Sequence, residues 1–281
     1  MKVLMWLFYL KTATCNCQSE INQSGFRKGK KFYKISQIGK MDRIVNESSG
    51  LAKLTGKQTF WSHNDSGGKA ELYEVDSTGN YISTLSIPKA RNIDWEDLAG
   101  DRQGNIFIGD FGNNRNNRKD LIIYKLPEKE PEKVKTIQFS YEDQKAFPPP
   151  DKERNFDCEA MFYHQDSLYL FSKNRGDKQV KLYVVPAAEG TYSARLKAKI
   201  YLKTMVTGAD ISPDEKKFAV LTYGKLFIFG INEGQINFSN PIFCLKTKRK
   251  QTEAIVFLDN DRLLLTNEQG SIYLIGQRAA P

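Results

Sequence analysis

Histidine and cysteine are scarce in this chain, with two His and four Cys among 281 residues. His63 and His164 stand far apart, no Cys-x-x-Cys pair occurs, and no His/Cys cluster has zinc spacing, which speaks against a zinc or histidine-rich metal site. A helical period sustained over a dozen residues is missing. So are a glycine-rich phosphate loop, a Gly-x-Ser-x-Gly elbow and a Ser/His/Asp set, which removes the commonest signals of nucleotide binding and serine hydrolysis. A long apolar run is lacking at the N-terminus too: Val3–Leu10 is about eight residues, against the roughly twenty needed to span a bilayer. The formal charge of +9 is spread over scattered clusters such as Arg27–Lys31 and Lys246–Lys250. No nucleic-acid motif accompanies them, so no nucleic-acid partner is expected.

What is present is repetition. Five short apolar runs each carry an acidic residue: Glu47–Ala52, Trp95–Ala99, Cys158–Phe162, Gly208–Ser212 and Thr252–Val256. The acids Glu47, Glu96, Glu159, Asp210 and Glu253 are spaced by about 43 to 63 residues, close to the roughly 40–50 of a four-stranded propeller blade. Within each unit a turn, a strongly apolar strand and a strand of Leu-Tyr or Ile-Tyr type follow, as in Glu71–Val75, Lys181–Val185 and Ser271–Ile275. Many short strands between turn signals indicate an all-β fold, and the repeat selects a β-propeller of five blades by motif count, with a degenerate sixth as the alternative. The last unit stops near Ile275 and the first strand, Phe32–Ile38, has no unit of its own. Pairing of the N- and C-terminal strands therefore closes the ring and removes free sheet edges. The longest unit carries an insertion, Asp143–Asn155, expected on the surface.

The expected organisation is an export signal or lipoprotein leader over 1–17, a polar tether over 18–30 and a single propeller domain over 31–281. Met1–Lys2 followed by Val3–Leu10 reads as a charged and then an apolar leader segment. Cys15 or Cys17 is the expected lipidation site, although Thr12 stands where a lipoprotein signal usually has Leu before Cys15. Cys158 and Cys244 lie in apolar strand contexts and are expected to behave as small buried hydrophobes.

In a propeller the innermost strands line the channel, so Glu47, Glu96, Glu159, Asp210 and Glu253 are expected to form one ring at one mouth. Such a ring needs a cation, protons or hydrogen-bond donors. Calcium, which takes about 6–8 oxygen ligands, suits it; backbone N–H groups of the next blade are the structural alternative. The end of each second strand supplies a further set near the same mouth: Ser62, His63, Asn64 and Asp65, then Asp110, then Lys173, Asn174 and Arg175, then Thr222 and Tyr223, then Asn267 and Glu268. His63, Asp110, Lys173 and Glu268 are the candidates for catalysis, with His63 either a general base or a turn residue. The Gly112–Arg118 loop is read as exposed.

Several motifs carry a resemblance. Glu47–Ala52, Trp61–Gly68, Asp94–Ala99 and Gly109–Asn114 resemble a group of exported, Bacteroidota-type bacterial β-propeller lipoproteins, from about residue 40 to the C-terminus. The acid-headed blades are more distantly similar to esterase-like phytase and SdiA-regulated propellers and to gluconolactonase-type calcium propellers. The resemblance implies the fold and an axial site without fixing an activity. Three functions follow as expectations: an exported binding module, a calcium-assisted hydrolase of phosphoester, lactone or ester type, and a structural scaffold in a surface assembly. The first takes a small polar ligand, cation or envelope-protein partner. The expected setting is the periplasm or cell surface of a bacterium, as a monomer meeting the membrane only through a lipid anchor.

Overall fold

A computed structural model describes residues 16–247 and 251–278. Residues 1–15 of the expected leader, Cys15 included, lie outside the described residues, whereas Cys17, the other expected lipidation site, is described and has its sulfur in a disulfide. A short helix, α1 (Gln18–Ser24), and a two-residue strand, β1 (Arg27–Lys28), precede β2 (Tyr33–Lys40). Blade 1 comprises β3 (Ser48–Ala52), β4 (Phe60–Asn64), β5 (Glu71–Val75) and β6 (Tyr81–Ser86). Blade 2 comprises β7 (Trp95–Gly100), β8 (Asn105–Asp110), β9 (Leu121–Pro127) and β10 (Lys135–Tyr141). Blade 3 is β11 (Cys158–His164), β12 (Ser167–Ser172), β13 (Gln179–Pro186) and β14 (Gly190–Tyr201). Blade 4 is β15 (Val206–Ile211), β16 (Lys217–Thr222), β17 (Lys225–Gly230) and β18 (Pro241–Lys246). Blade 5 is β19 (Thr252–Phe257), β20 (Leu263–Asn267) and β21 (Ser271–Gln277), completed by β2 from the other end of the chain.

The ring closes as the repeat requires. Inner strands β3, β7, β11, β15 and β19 each contact the next, and β19 returns to β3. Five apolar clusters fill the five blade interfaces. Residue patterning explains the layers. Central strands such as β17, Lys-Leu-Phe-Ile-Phe-Gly, are buried throughout because a blade packs on both sides of them. The outer strand β14 alternates exposed and covered residues, the period of a half-solvated strand. β2 pairs antiparallel with β21 from Tyr33↔Gln277 to Lys40↔Ser271, so the two ends of the chain share one sheet.

Three features depart from expectation. Blades 2 and 3 are not separate sheets: β10 pairs in parallel with β14 from Ile137↔Gly190 to Tyr141↔Ala194, giving one sheet of eight strands. The segment expected as a polar tether is docked, with α1 and β1 fastened to blade 4. Cys17 and Cys244 form a disulfide across 227 residues of sequence, so Cys244 is not a free buried thiol, whereas Cys158 is. A helix of seven residues gives no readable periodicity; tertiary contacts, not propensity, hold it.

Candidate functional site

The inner strands share one irregularity. In blades 1 to 4 the pairing of the innermost strand with its neighbour skips one residue, between Ser48 and Gly50, Trp95 and Asp97, Cys158 and Ala160, and Val206 and Gly208. In blade 5 the break falls between Thr252 and Ile255. Such β-bulges re-aim a side chain out of the ladder. The displaced residues Ser49, Glu96, Glu159, Thr207 and Glu253 all line one cavity of about 250 Å³ on the ring axis. Asp65, Lys173, Tyr223 and Glu268, each just beyond or at the end of a second strand's pairing, form its next layer, and Glu47, Ser66, Asp94 and Asn114 complete the wall.

The chemistry concentrates between blades 2 and 3. Lys173 Nζ donates to Glu159 Oε2 at 2.6 Å. Arg175 Nε donates to Asp157 Oδ2 at 2.8 Å, and its Nη2 lies 3.7 Å from Glu159 Oε1. Asp157 Oδ1 accepts the Asn113 N–H at 2.7 Å. Glu159 Oε1 is buried without a hydrogen-bond partner. Glu96, Asp157 and Glu159 each present a carboxylate oxygen within 4.8 Å of the other two, a grouping that could hold a metal ion. Glu96 and Glu159 fit that role best, because both oxygens of Asp157 are already engaged. A Cβ at Gly112 would lie 2.3 Å from Glu96 Oε1 and 2.4 Å from Asp94 Oδ2, so glycine alone lets these carboxylates approach the backbone.

Crowded acids shift each other. Burial, then the Glu159 charge, raises the pKa of Glu96 well above the ordinary carboxylate value. Burial and Asp157 push Asp94 up to about 6. Burial pushes Glu253 up to about 8, with Lys173 working against the rise and Glu268 adding to it. Burial alone would lower Lys173, but the Glu159 carboxylate outweighs it and holds the ammonium charged. Burial is thus the first cause of each carboxyl's rise, and the Lys173 ammonium works against it at Glu96 and Glu253.

Of the residues expected at the axial mouth, the pocket brings together Glu47, Asp65, Glu96, Glu159, Lys173, Tyr223, Glu253 and Glu268. The others lie elsewhere. Asp210 sits three residues past the blade 4 bulge, at the opposite mouth, where Oδ2 accepts the Phe257 N–H of blade 5 at 2.6 Å. Asp97 does the same between blades 2 and 3, accepting the Met161 N–H at 2.8 Å. These two acids realise the backbone-bracing alternative. His63 is fully buried within β4, edge-on to Trp95 with ring centroids 5.7 Å apart. Burial lowers its pKa to about 4, so it is a neutral core ring rather than a turn residue or a base poised near neutrality. Asp110 lies behind the wall, accepting the Asp94 N–H at 3.0 Å and pairing with Arg118 at 3.2 Å. Asn64 donates to the Ile44 carbonyl, Asn174 to the Leu202 carbonyl, and Asn267 accepts the Ser271 N–H; all three are loop staples.

Asp94, Ser49, Asn114, Asp157 and Thr207 were not singled out from the sequence. The bulge register finds Ser49 and Thr207, since each occupies the position Glu96 and Glu159 hold in their own blades. The Gly112–Arg118 loop is also not exposed throughout: Asn113 and Asn116 are buried, and Asn113 Oδ1 accepts the N–H groups of Asn117 and Arg118 at 2.9 Å each. That asparagine scaffold supports the pocket wall through Asn114, whose Oδ1 accepts from Arg175 Nη2. The insertion packs down as well, with Asp143 accepting from Lys181 Nζ and the Tyr183 hydroxyl at 2.8 Å each.

A larger cavity, about 720 Å³, opens at the opposite mouth. Its carboxylates are spoken for: besides Asp210, Asp101 Oδ1 accepts the Gln103 and Asn105 N–H groups, and Glu215 pairs with Arg102 at 2.7 Å. The smaller axial pocket is where the Glu96, Asp157 and Glu159 carboxylates gather and where Glu159 Oε1 is left without a hydrogen-bond partner.

No protein-family model and no curated protein matches the sequence. Solved structures do match in shape. The PQQ-bound aldose sugar dehydrogenase of Streptomyces coelicolor aligns over 88% of this chain and 98% of its own, at TM-score 0.53 and 11% identity. A gluconolactonase of Xanthomonas campestris aligns over 88% and 90%, at TM-score 0.49 and 8% identity. The WD40 repeats of RRP9 align over 82% and 67%, at TM-score 0.45 and 12% identity. At such identities the likeness concerns the fold: the chain is a β-propeller.

Proposed function

We propose that this propeller is an exported binding module whose axial pocket takes a hard divalent cation of calcium type together with a small polar ligand. The observation that carries the reading is the set of bulges, which turns one side chain from every blade into the same cavity. Bulges that serve only sheet geometry need not aim three glutamates at one point, and an acid-lined cavity without a cation holds its carboxylates at a cost. Glu96 and Glu159 are the expected ligands, with Asp94 beside them. A bound cation would supply the charge that lets these acids ionise and would present an electropositive centre to a ligand's oxygen atoms. The motif resemblance to exported lipoproteins and the Cys17–Cys244 disulfide, a bond that persists in oxidising compartments, support the exported reading. If the chain is lipidated, Cys15 remains for it, because the Cys17 sulfur is in the disulfide.

Metal analysis of the purified protein and calcium titration followed by thermal unfolding test the reading. Calcium is expected to raise Tm, and Glu96→Gln and Glu159→Gln are expected to abolish the shift. A wild-type protein with no bound ion and no shift with any divalent cation would sink it.

Glu253 favours a second reading, calcium-assisted hydrolysis. A carboxyl with a pKa near 8 keeps its proton at neutral pH, as a general acid must. Turnover of phosphoester, lactone or ester substrates that is lost in Glu253→Gln would establish it; silence across such a panel leaves the binding module.

A further inference from the structure

We propose that the segment Cys17–Phe26 is a positioning element of the axial site, fixing the Tyr223 wall of the pocket from outside blade 4. The inference rests on the axial-site reading and extends it to a part of the chain that looks, in sequence, like a tether. Tyr223 stands in the tight turn between β16 and β17 and lines the pocket. Two residues on, Lys225 is buried, and its Nζ donates to Glu20 Oε1 at 2.6 Å. Glu20 belongs to α1 and is 4% exposed. The turn is also held by the Tyr223 N–H donating to the Met205 carbonyl at 3.1 Å, by Thr222 Oγ1 donating to the Lys225 carbonyl at 3.0 Å and by the Thr247 N–H donating to the Gly224 carbonyl at 3.0 Å.

Three further fasteners hold α1 where Glu20 can reach. The Cys17–Cys244 disulfide ties its start to β18. Phe26, 2% exposed, sits with its ring centroid 5.2 Å from those of Phe227 and Phe229. β1 adds a parallel strand to the edge of blade 4, pairing Arg27 with Phe243. On the pocket side, the Lys173 ammonium lies 5.5 Å from the Tyr223 ring centroid and pairs with Glu159. The clasp therefore connects to the acid cluster through Lys225, the turn, Tyr223 and Lys173.

A fastening that served only stability would not need a buried ion pair, which apolar residues of the same volume replace at little or no loss. What the pair adds is direction: Lys225 can be satisfied in one orientation of the turn, and that orientation sets Tyr223 against Lys173.

The test uses the full chain with calcium as the probe. Glu20→Gln, Lys225→Met and the double variant Cys17→Ser/Cys244→Ser are compared with Lys225→Arg, which keeps the charge. Calcium affinity is measured by titration, and amide hydrogen exchange is followed at residues 223–225 and, as reference, in β4 and β20. The three disruptive variants are expected to bind calcium roughly 5- to 20-fold more weakly, the size of an ordinary coupling between distant groups. Exchange should quicken at residues 223–225 and not in the reference strands, and Lys225→Arg should restore both. Unchanged affinity with unchanged local exchange in Glu20→Gln, which retains the disulfide, overturns the proposal. If the wild type binds no calcium, the axial cation reading fails and exchange alone decides: selective quickening at the turn supports the clasp, and uniform or unchanged exchange overturns it.

Discussion

At the scale of single residues, the axial pocket stores electrostatic cost in a few carboxyls. Glu253 has its pKa raised from 4.5 to about 8. Between those values the folded state holds a proton that the unfolded chain has released, so stability falls as pH rises through that window. In the presence of chelator, Tm is expected to drop between about pH 5 and 8, and Glu253→Gln should flatten the drop by on the order of 2–3 kcal/mol once the partial exposure of the group is allowed for. Calorimetry across pH reads this directly, and calcium should stabilise more at pH 8 than at pH 5. A steric counterpart lies in Gly112. Alanine there would meet the Glu96 and Asp94 carboxylates well inside contact distance, so Gly112→Ala is expected to cost about 1–3 kcal/mol and to weaken cation binding. Gly56→Ala, at φ +81° with nothing within 4 Å, should cost comparably in backbone strain but leave binding intact. Denaturant unfolding with and without calcium separates the two.

At the scale of elements, the inner strands explain both what the sequence shows and what it hides. The acidic residue in each apolar run is real, but run-counting treats Glu47, Glu96, Glu159, Asp210 and Glu253 as equivalent. Strand pairing makes Ser49 the equivalent of Glu96 in blade 1 and Thr207 its equivalent in blade 4. A side chain's direction alternates along a strand and resets at a bulge, so a shift of a few residues moves an acid from one mouth to the other. A bulge leaves no composition of its own, and the letters could not place it. Asp210 consequently braces blade 5 rather than facing the pocket, and Asp210→Ala should leave the Phe257 N–H without its acceptor. The expected loss is about 1–3 kcal/mol by denaturant titration, with no effect on calcium binding.

At the scale of the whole molecule, closure is double. β2 shares a sheet with β21, and the Cys17–Cys244 disulfide then pins the chain ahead of β2 onto blade 4. Removing that cross-link by Cys17→Ser/Cys244→Ser is expected to cost about 2–5 kcal/mol, read as a lower Tm that mild reductant reproduces in the wild type.

The repeat, the propeller fold and the pairing of the chain ends were determined by the sequence itself, with five blades by motif count and a sixth left open. Each depends on local alternation and on a period that survives in the letters even at blade lengths as uneven as these. The tertiary structure alone decided which acids meet. Convergence on an axis depends on bulge register and on contacts such as Asn113 to Asp157, Glu20 to Lys225 and Cys17 to Cys244, which join residues from different parts of the chain. No local pattern records such contacts, because their energy comes from neighbours that exist only once the ring has closed.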